Sequence, residues 1–167
     1  YLKNSLATLA KIVDYNIENF QSFLVFTLTY AENMQDTKKL YKDFVNFWQG
    51  KHGEKQDTQR FWMDLFQKVL GVEYPASRLS FEEPVQLEDS TRYIDVYIPE
   101  TKVLIEQKGS LIDLSKPERQ SGGDYLTPYN QARRYDNNLP LAKKARWIIC
   151  CNFQRFEIHD MTKPLAA

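Results

Sequence analysis

Cysteine is nearly absent from this chain. The only two, Cys150 and Cys151, are neighbours inside the apolar run from Trp147 to Cys151, so they cannot frame a disulfide scaffold or supply the spacing of a metal cluster. A reduced, cytoplasmic setting is the expectation from that usage. Histidine is as scarce: His52 and His159 stand too far apart in the sequence to argue for a zinc site, and surface or edge positions are expected for both. No segment reaches the roughly 20 apolar residues that a bilayer-spanning helix needs, and the most apolar stretch, Phe20 to Tyr30, is too short. Neither sign of charge is in excess, since 22 Lys and Arg balance 22 Asp and Glu. Any overall electrostatic attraction to nucleic acid is therefore missing. Internal repeats and low-complexity tracts are missing too.

What is present is enough for one soluble domain with a real core: 167 residues, 43% of them hydrophobic and 26% charged. The charge is unevenly placed. From Lys102 to Arg146, nine basic residues (Lys102, Lys108, Lys116, Arg119, Arg133, Arg134, Lys143, Lys144 and Arg146) face five acids (Glu106, Asp113, Glu118, Asp124 and Asp136).

The most informative pair of segments lies at the edge of that basic stretch. In Arg92 to Ile98, Ile94, Val96 and Ile98 alternate with Tyr93, Asp95 and Tyr97. That period of two, rich in β-branched and aromatic residues, predicts a strand with one apolar face. In Lys102 to Lys108, Val103 and Ile105 alternate with Leu104, Glu106 and Lys108, and the short link Pro99-Glu100-Thr101 predicts an antiparallel hairpin with a tight loop of about two residues. Pairing Ile98 with Val103 and Val96 with Ile105 sets Asp95 opposite Glu106, with Cβ atoms roughly 5 Å apart. Two carboxylates that close need a cation or a proton between them. Lys108, two residues on, shares their face, where an ammonium can hold a water or offset phosphate charge. A solvent-facing strand can show the same alternation by chance. Against that, Asp95 is flanked on its face by tyrosines, and the run Val103-Leu104-Ile105 predicts burial on both sides before Glu106 appears.

The rest of the chain supplies helices and further strands. Residues 1–33 are hard to place: Leu2, Leu6, Leu9, Ile12 and Val13 recur at helical spacing, and Met34 reads as a natural start, so 1–33 is expected to be foreign to a domain spanning 34–167. Beyond Met34, Asp36 is a candidate N-cap for a helix with Leu40, Tyr41, Phe44, Val45 and Trp48 as its apolar stripe. Asp57 to Leu70 is the clearest helix, stopped by Gly71. Pro84 to Leu87 is predicted as a first strand, and Gly109 to Leu126 as a long loop of the kind that is functional or disordered. Thr127-Pro128 reads as N-cap and first helical position of a helix through about Asn138, with Gln131 and Tyr135 on one face. Ala145 to Cys151 and Arg155 to His159 follow as strands, linked by Asn152-Phe153-Gln154. The order predicts an α/β protein with a mixed β-sheet flanked by helices.

With this order the residues resemble the PD-(D/E)XK nuclease fold, the restriction-endonuclease-like core, whose site is an Asp on one strand and Glu-x-Lys on the next. Here those are Asp95 and Glu106-Gln107-Lys108. Gln131-x-x-x-Tyr135 is similar to the Gln-x-x-x-Tyr helix of the RecB-like branch of that fold. The residue before Asp95 is Ile94 where the motif has Pro, which leaves the carboxylate ligand intact. The runs EKQDTQRFW, YIDVYIP, KVLIEQKGS, LTPYNQARRYDNNLP and KARWIICCNF resemble the N-terminal nuclease region of MmeI-like single-chain restriction-modification enzymes, over roughly Asp36 to Met161.

That resemblance implies an endonuclease that hydrolyses double-stranded DNA with Mg2+, Mn2+ being a possible substitute. It implies Asp95, Glu106 and the Gln107 carbonyl as metal ligands, and Lys108, Gln131 and Tyr135 as further catalytic groups. Lys116, Arg119, Arg133 and Arg134 are candidates for contacts to the DNA backbone. It also implies covalent fusion to methyltransferase and target-recognition parts that use S-adenosylmethionine; no Asn-Pro-Pro-Tyr motif or Gly-rich cofactor loop occurs in these 167 residues. Two alternatives stay open: a DNA-binding or scaffold domain that kept the fold and lost the chemistry, and a RecB-like nuclease of another DNA-processing system. Among the latter, enzymes with an iron-sulfur cluster are disfavoured because two adjacent cysteines cannot supply four thiolates.

Overall fold

The computed structural model describes residues 34–50, 52–88 and 90–163. The expectations for 1–33 lie outside the described residues. Helix α1 spans Met34–Phe47, so Asp36 sits in its first turn and is not its cap. Helix α2 spans Glu54–Asp64 and continues as a π-type turn over Leu65–Val69. It starts three residues before the expected Asp57. The cap is Gly53, whose N–H donates to the Asp57 carboxylate at 3.0 Å, so Asp57 reaches back from inside the helix. Gly71 ends it at φ +68°, a conformation that costs glycine nothing.

Five strands make one mixed sheet: β1 (Ser80–Gln86), β2 (Thr91–Ile98), β3 (Val103–Gln107), β6 (Trp147–Cys151) and β7 (Phe156–Asp160), in the spatial order β1-β2-β3-β6-β7. All neighbours are antiparallel except β3 and β6, which run parallel. That pair is joined by a crossover carrying helix α3 (Pro128–Asn138), as parallel strands require. β1 begins four residues before the expected Pro84, and the edge position tolerates that proline. The expected loop from Gly109 to Leu126 carries a small hairpin, β4 (Glu118–Arg119) with β5 (Tyr125–Leu126).

Helices cover both faces. Phe44, Trp48, Phe61, Trp62, Leu65 and Phe66 of α1, α2 and the segments that follow them pack on Val96, Ile98, Val103, Ile105, Ile149 and Cys151. On the opposite face, Ala132, Tyr135 and Leu139 of α3 and its end pack on Tyr97, Leu104, Ile148 and Cys150. Odd and even positions of β3 and β6 thus divide between two cores, which is why both strands read as continuous apolar runs. The result is an α/β fold compatible with a restriction-endonuclease-like core. Cys150 and Cys151 are free and buried. Among the described residues no helix is long and apolar enough to cross a membrane.

The hairpin register matches the parity argument: Val96 faces Ile105, Tyr97 faces Leu104 and Ile98 faces Val103. That register leaves four loop residues, Pro99 to Lys102, rather than about two, with Lys102 at φ 54° closing the turn. β2 does not keep its alternation throughout. Val96 and Ile98 face the α1–α2 core, but Ile94 joins Tyr97 in the α3 core. The change falls at Asp95, beside Glu82 of β1, whose φ of 53° marks a distortion where the β1–β2 ladder skips one pair.

Candidate active site

The site lies where β2 and β3 part. Their ladder ends at Val96 and Ile105, so Asp95 is not held in a regular pair with Glu106. Instead the Asp95 carboxylate accepts the backbone N–H of Gln107 at 2.7 Å. Glu106 and Lys108 point to the face that α3 covers, and Lys108 Nζ donates to Glu106 Oε1 at 2.6 Å. Both are enclosed, Glu106 at 1% exposure and Lys108 at 6%. The odd residue between them, Gln107, turns its side chain the other way into the α1–α2 core.

Burial decides the electrostatics. Desolvation is the largest influence on Asp95 and pushes its carboxyl up to about 7, against the opposing Gln107 N–H. Burial and then the charge of Asp95 push Glu106 to about 8, in spite of Lys108. Burial alone would lower Lys108, but Glu106 and Glu54 outweigh it and hold the ammonium protonated well above its usual range. Protein packs around the Asp95 carboxyl even though part of the residue reaches solvent.

Glu54 is the site residue that sequence reasoning missed. It opens α2, and its Oε2 lies 3.9 Å from Lys108 Nζ. Its charge raises both Asp95 and Glu106, and burial raises its own carboxyl. The approach depends on a clamp: His52 N–H donates to Ser110 Oγ at 3.0 Å, and the Ser110 N–H donates to the His52 carbonyl at 3.1 Å. This ties the chain before α2 to the chain after Lys108. An acid in a helix's first turn was the available signal, hidden by placing the helix start at Asp57.

α3 begins as expected, with Thr127 Oγ1 accepting the Asn130 N–H at 3.2 Å and Pro128 at the first position. Gln131 Nε2 donates to the Tyr135 hydroxyl at 3.1 Å. Tyr135 is near enough to the acids that, after burial, the charge of Glu106 is what most raises its phenol. The structure therefore brings Asp95, Glu106, Lys108 and Tyr135 together, with Gln131 bonded to the last. Among the described residues no hydrogen bond or ion pair ties the four candidate DNA contacts to them. Arg134 is paired with Asp124 at 3.0 Å and Lys116 with Asp113 at 3.4 Å, all four exposed. Arg119 is exposed on β4 and Arg133 half-buried on α3, and neither forms an ion pair among the described residues. Glu118, beside Arg119, is close enough to raise Glu54, so β4 reaches the rim of the site.

The family model for the MmeI N-terminal domain matches residues 39–166. The chain belongs to that family. The match covers both faces of the sheet and every candidate site residue, and it agrees with the resemblance read from the sequence runs. No curated protein and no solved structure matches the chain.

A divalent cation fits the oxygen donors of Asp95 and Glu106. Glu106 Oε2 is buried without a hydrogen-bond partner, which is costly unless a cation or proton meets it. Carboxylate and carbonyl oxygens are hard ligands of the kind Mg2+ takes. Among the described residues no group of three or more His, Cys, Asp and Glu side chains could hold a metal. The side chains of His52 and His159 pack against aromatic rings. His52 is packed against Trp48 and Phe153 rather than lying on the surface, and His159 stacks on Tyr129 from the edge strand β7.

Proposed function

We propose that this domain hydrolyses phosphodiester bonds of double-stranded DNA with Mg2+, as the cleavage module of a restriction-modification enzyme. The observation that carries the reading is the convergence at the ends of β2 and β3 of Asp95, which accepts the Gln107 N–H at 2.7 Å, and Glu106, with Lys108 Nζ held 2.6 Å from Glu106 Oε1. Asp95, Glu106 and the Gln107 carbonyl would hold the cation. Bound Mg2+ supplies an activated water and a clamp on phosphate charge.

The remaining work falls to the chain's own groups. In hydrolysis, water oxygen adds to phosphorus, one phosphorus–oxygen bond to a sugar breaks, and the leaving oxygen gains a proton. Glu106 and Glu54 hold the Lys108 ammonium protonated. It orients that water and offsets the negative charge that develops on phosphate. The protonated Tyr135 hydroxyl, steadied by Gln131, donates a hydrogen bond toward the phosphate. Arg119 and Arg133, with Lys116 and Arg134 once their surface pairs exchange, contact the DNA backbone without reading sequence. Methylation with S-adenosylmethionine and target recognition belong to fused domains, and a cytoplasmic location follows from the substrate.

The test uses the full-length natural protein on supercoiled plasmid, with Mg2+ or EDTA and with S-adenosylmethionine present. Wild type nicks or cuts only with Mg2+, and Asp95→Ala and Lys108→Ala abolish cleavage while leaving DNA binding intact. Persistent Mg2+-dependent nicking by both variants overturns the proposal, and a wild type that binds DNA but never cleaves it points to a scaffold domain.

A further inference from the structure

The middle residue of Glu106-Gln107-Lys108 has a fully buried amide, 0% exposed, with three hydrogen bonds that run in different directions. Its backbone N–H donates to Asp95 Oδ2 at 2.7 Å. Its side-chain Nε2 donates to the carbonyl of Lys108 at 3.0 Å. Its side-chain Oε1 accepts the indole N–H of Trp62 at 2.9 Å, across 45 positions of sequence. Trp62 is itself fully buried on α2, wedged against Phe61, Phe66 and Phe156. An apolar residue would fill this position of a doubly covered strand without any need for partners. A glutamine there has to be satisfied at both ends of its amide, and the fold supplies both.

We infer that Gln107 and Trp62 are positioning residues of the candidate active site: the Trp62 indole anchors the Gln107 amide, and that amide fixes the main chain from which Asp95 is held and Lys108 departs. This rests on the proposed nuclease reading for its functional consequence, but not for its geometry. Past Gln107 the strand has left β2, and the Lys108 N–H is held from the β6 side alone, by the Cys151 carbonyl at 2.7 Å. The Gln107 amide replaces the missing partner by holding the Lys108 carbonyl. Without it, the carbonyl of Lys108, the residue whose ammonium is aimed at Glu106 and Glu54, loses this side-chain donor. The packed core of α2 is thereby coupled to the geometry of the site through one hydrogen bond, as outer-shell groups commonly orient the ligands they back.

Two variants separate positioning from packing. Trp62→Phe removes the indole N–H, leaves Gln107 Oε1 unsatisfied and opens a small cavity. Trp62→Phe combined with Gln107→Leu removes the stranded amide as well, so part of the lost stability returns. In the full-length protein, cleavage kcat falls about 10- to 100-fold in both, the usual range for outer-shell losses, while KM for DNA stays within a factor of about two. Amide exchange over residues 104–108, read by mass spectrometry, rises in both relative to the rest of the sheet. If Trp62→Phe does not fold, Gln107→Met alone gives the same two readouts. Wild-type kcat and protection in these variants, or a kcat that recovers together with stability in the double variant, overturns the inference. A wild type that never cleaves DNA defeats the nuclease reading instead, and the exchange measurement still decides whether Trp62 and Gln107 hold this segment.

Discussion

Lys108 sits between two carboxylates from different parts of the chain, 2.6 Å from Glu106 Oε1 on β3 and 3.9 Å from Glu54 Oε2 at the start of α2. Only the first is tight enough to be a strong ion pair. Removing the ammonium leaves Glu106 charged in a buried site or forces a proton onto it. Lys108→Met is therefore expected to destabilise the domain by about 3–5 kcal/mol at pH 8, with less loss at pH 6, where Glu106 protonates. Lys108→Met with Glu106→Gln recovers most of that stability and none of the cleavage. Urea unfolding at the two pH values checks both statements.

Without divalent cations, stability falls as pH rises from about 5 to 8. The sign follows from proton counting: Asp95 and Glu106 have ordinary values of 3.8 and 4.5 and folded values of about 7 and about 8. Between those limits the folded state binds more protons than the unfolded one, and raising pH favours unfolding. Burial lowers His159, which acts in the opposite sense near its ordinary value of 6.5, so the slope is read cleanly in a His159→Gln background. Thermal melts in EDTA at pH 5, 6, 7 and 8 measure it, and adding Mg2+ or Mn2+ flattens the upper half by replacing the protons. Stability that rises from pH 6 to 8 in EDTA contradicts the assignment.

Glu54→Gln removes a negative charge that raises both site acids. The pH midpoint of the EDTA curve then moves down, and Lys108 loses one of the groups that keep it protonated. Cleavage falls roughly tenfold, less than in Asp95→Ala, as expected of a group outside the Asp95–Glu106 pair. A Glu54→Gln protein with an unchanged midpoint shows that the acid is uncoupled from the site.

Thr127→Ala deletes the cap of α3, whose hydroxyl accepts the Asn130 N–H. The expected cost is about 1 kcal/mol. Because α3 carries Gln131 and Tyr135, kcat drops further than this global loss accounts for. Thr127→Ser, which keeps the acceptor, restores both. Chemical denaturation together with plasmid cleavage separates the two effects.

Much of this architecture was legible in the residues. Alternation at Val96, Tyr97 and Ile98 against Val103, Leu104 and Ile105 specified the hairpin register, because a slip of one residue would have turned each apolar side chain to the wrong face. Thr127-Pro128 marked the start of α3 to the residue, since a capping hydroxyl followed by a proline has few other uses. Other features were not legible. Glu82 takes a left-handed conformation that no local signal announced, and with it β2 gives up its alternation at Asp95. The β4–β5 hairpin has only two residues in each strand, too few to show a period.

Readable from the residues alone were the order of the main helices and strands, the faces of the central strands and the motif that places an acid on one strand and Glu-x-Lys on the next. All of these follow from short-range periodicity, in which a side chain's direction is set by its position along its own strand or helix. It took the packed fold to stop the β2–β3 ladder before Asp95, to close Glu54 on Lys108 through the His52–Ser110 clamp and to bring Trp62 to Gln107. Those contacts join residues tens of positions apart. They exist because hydrophobic burial stacks α2 on the sheet, and buried polar atoms must then find partners wherever the packed chain supplies them.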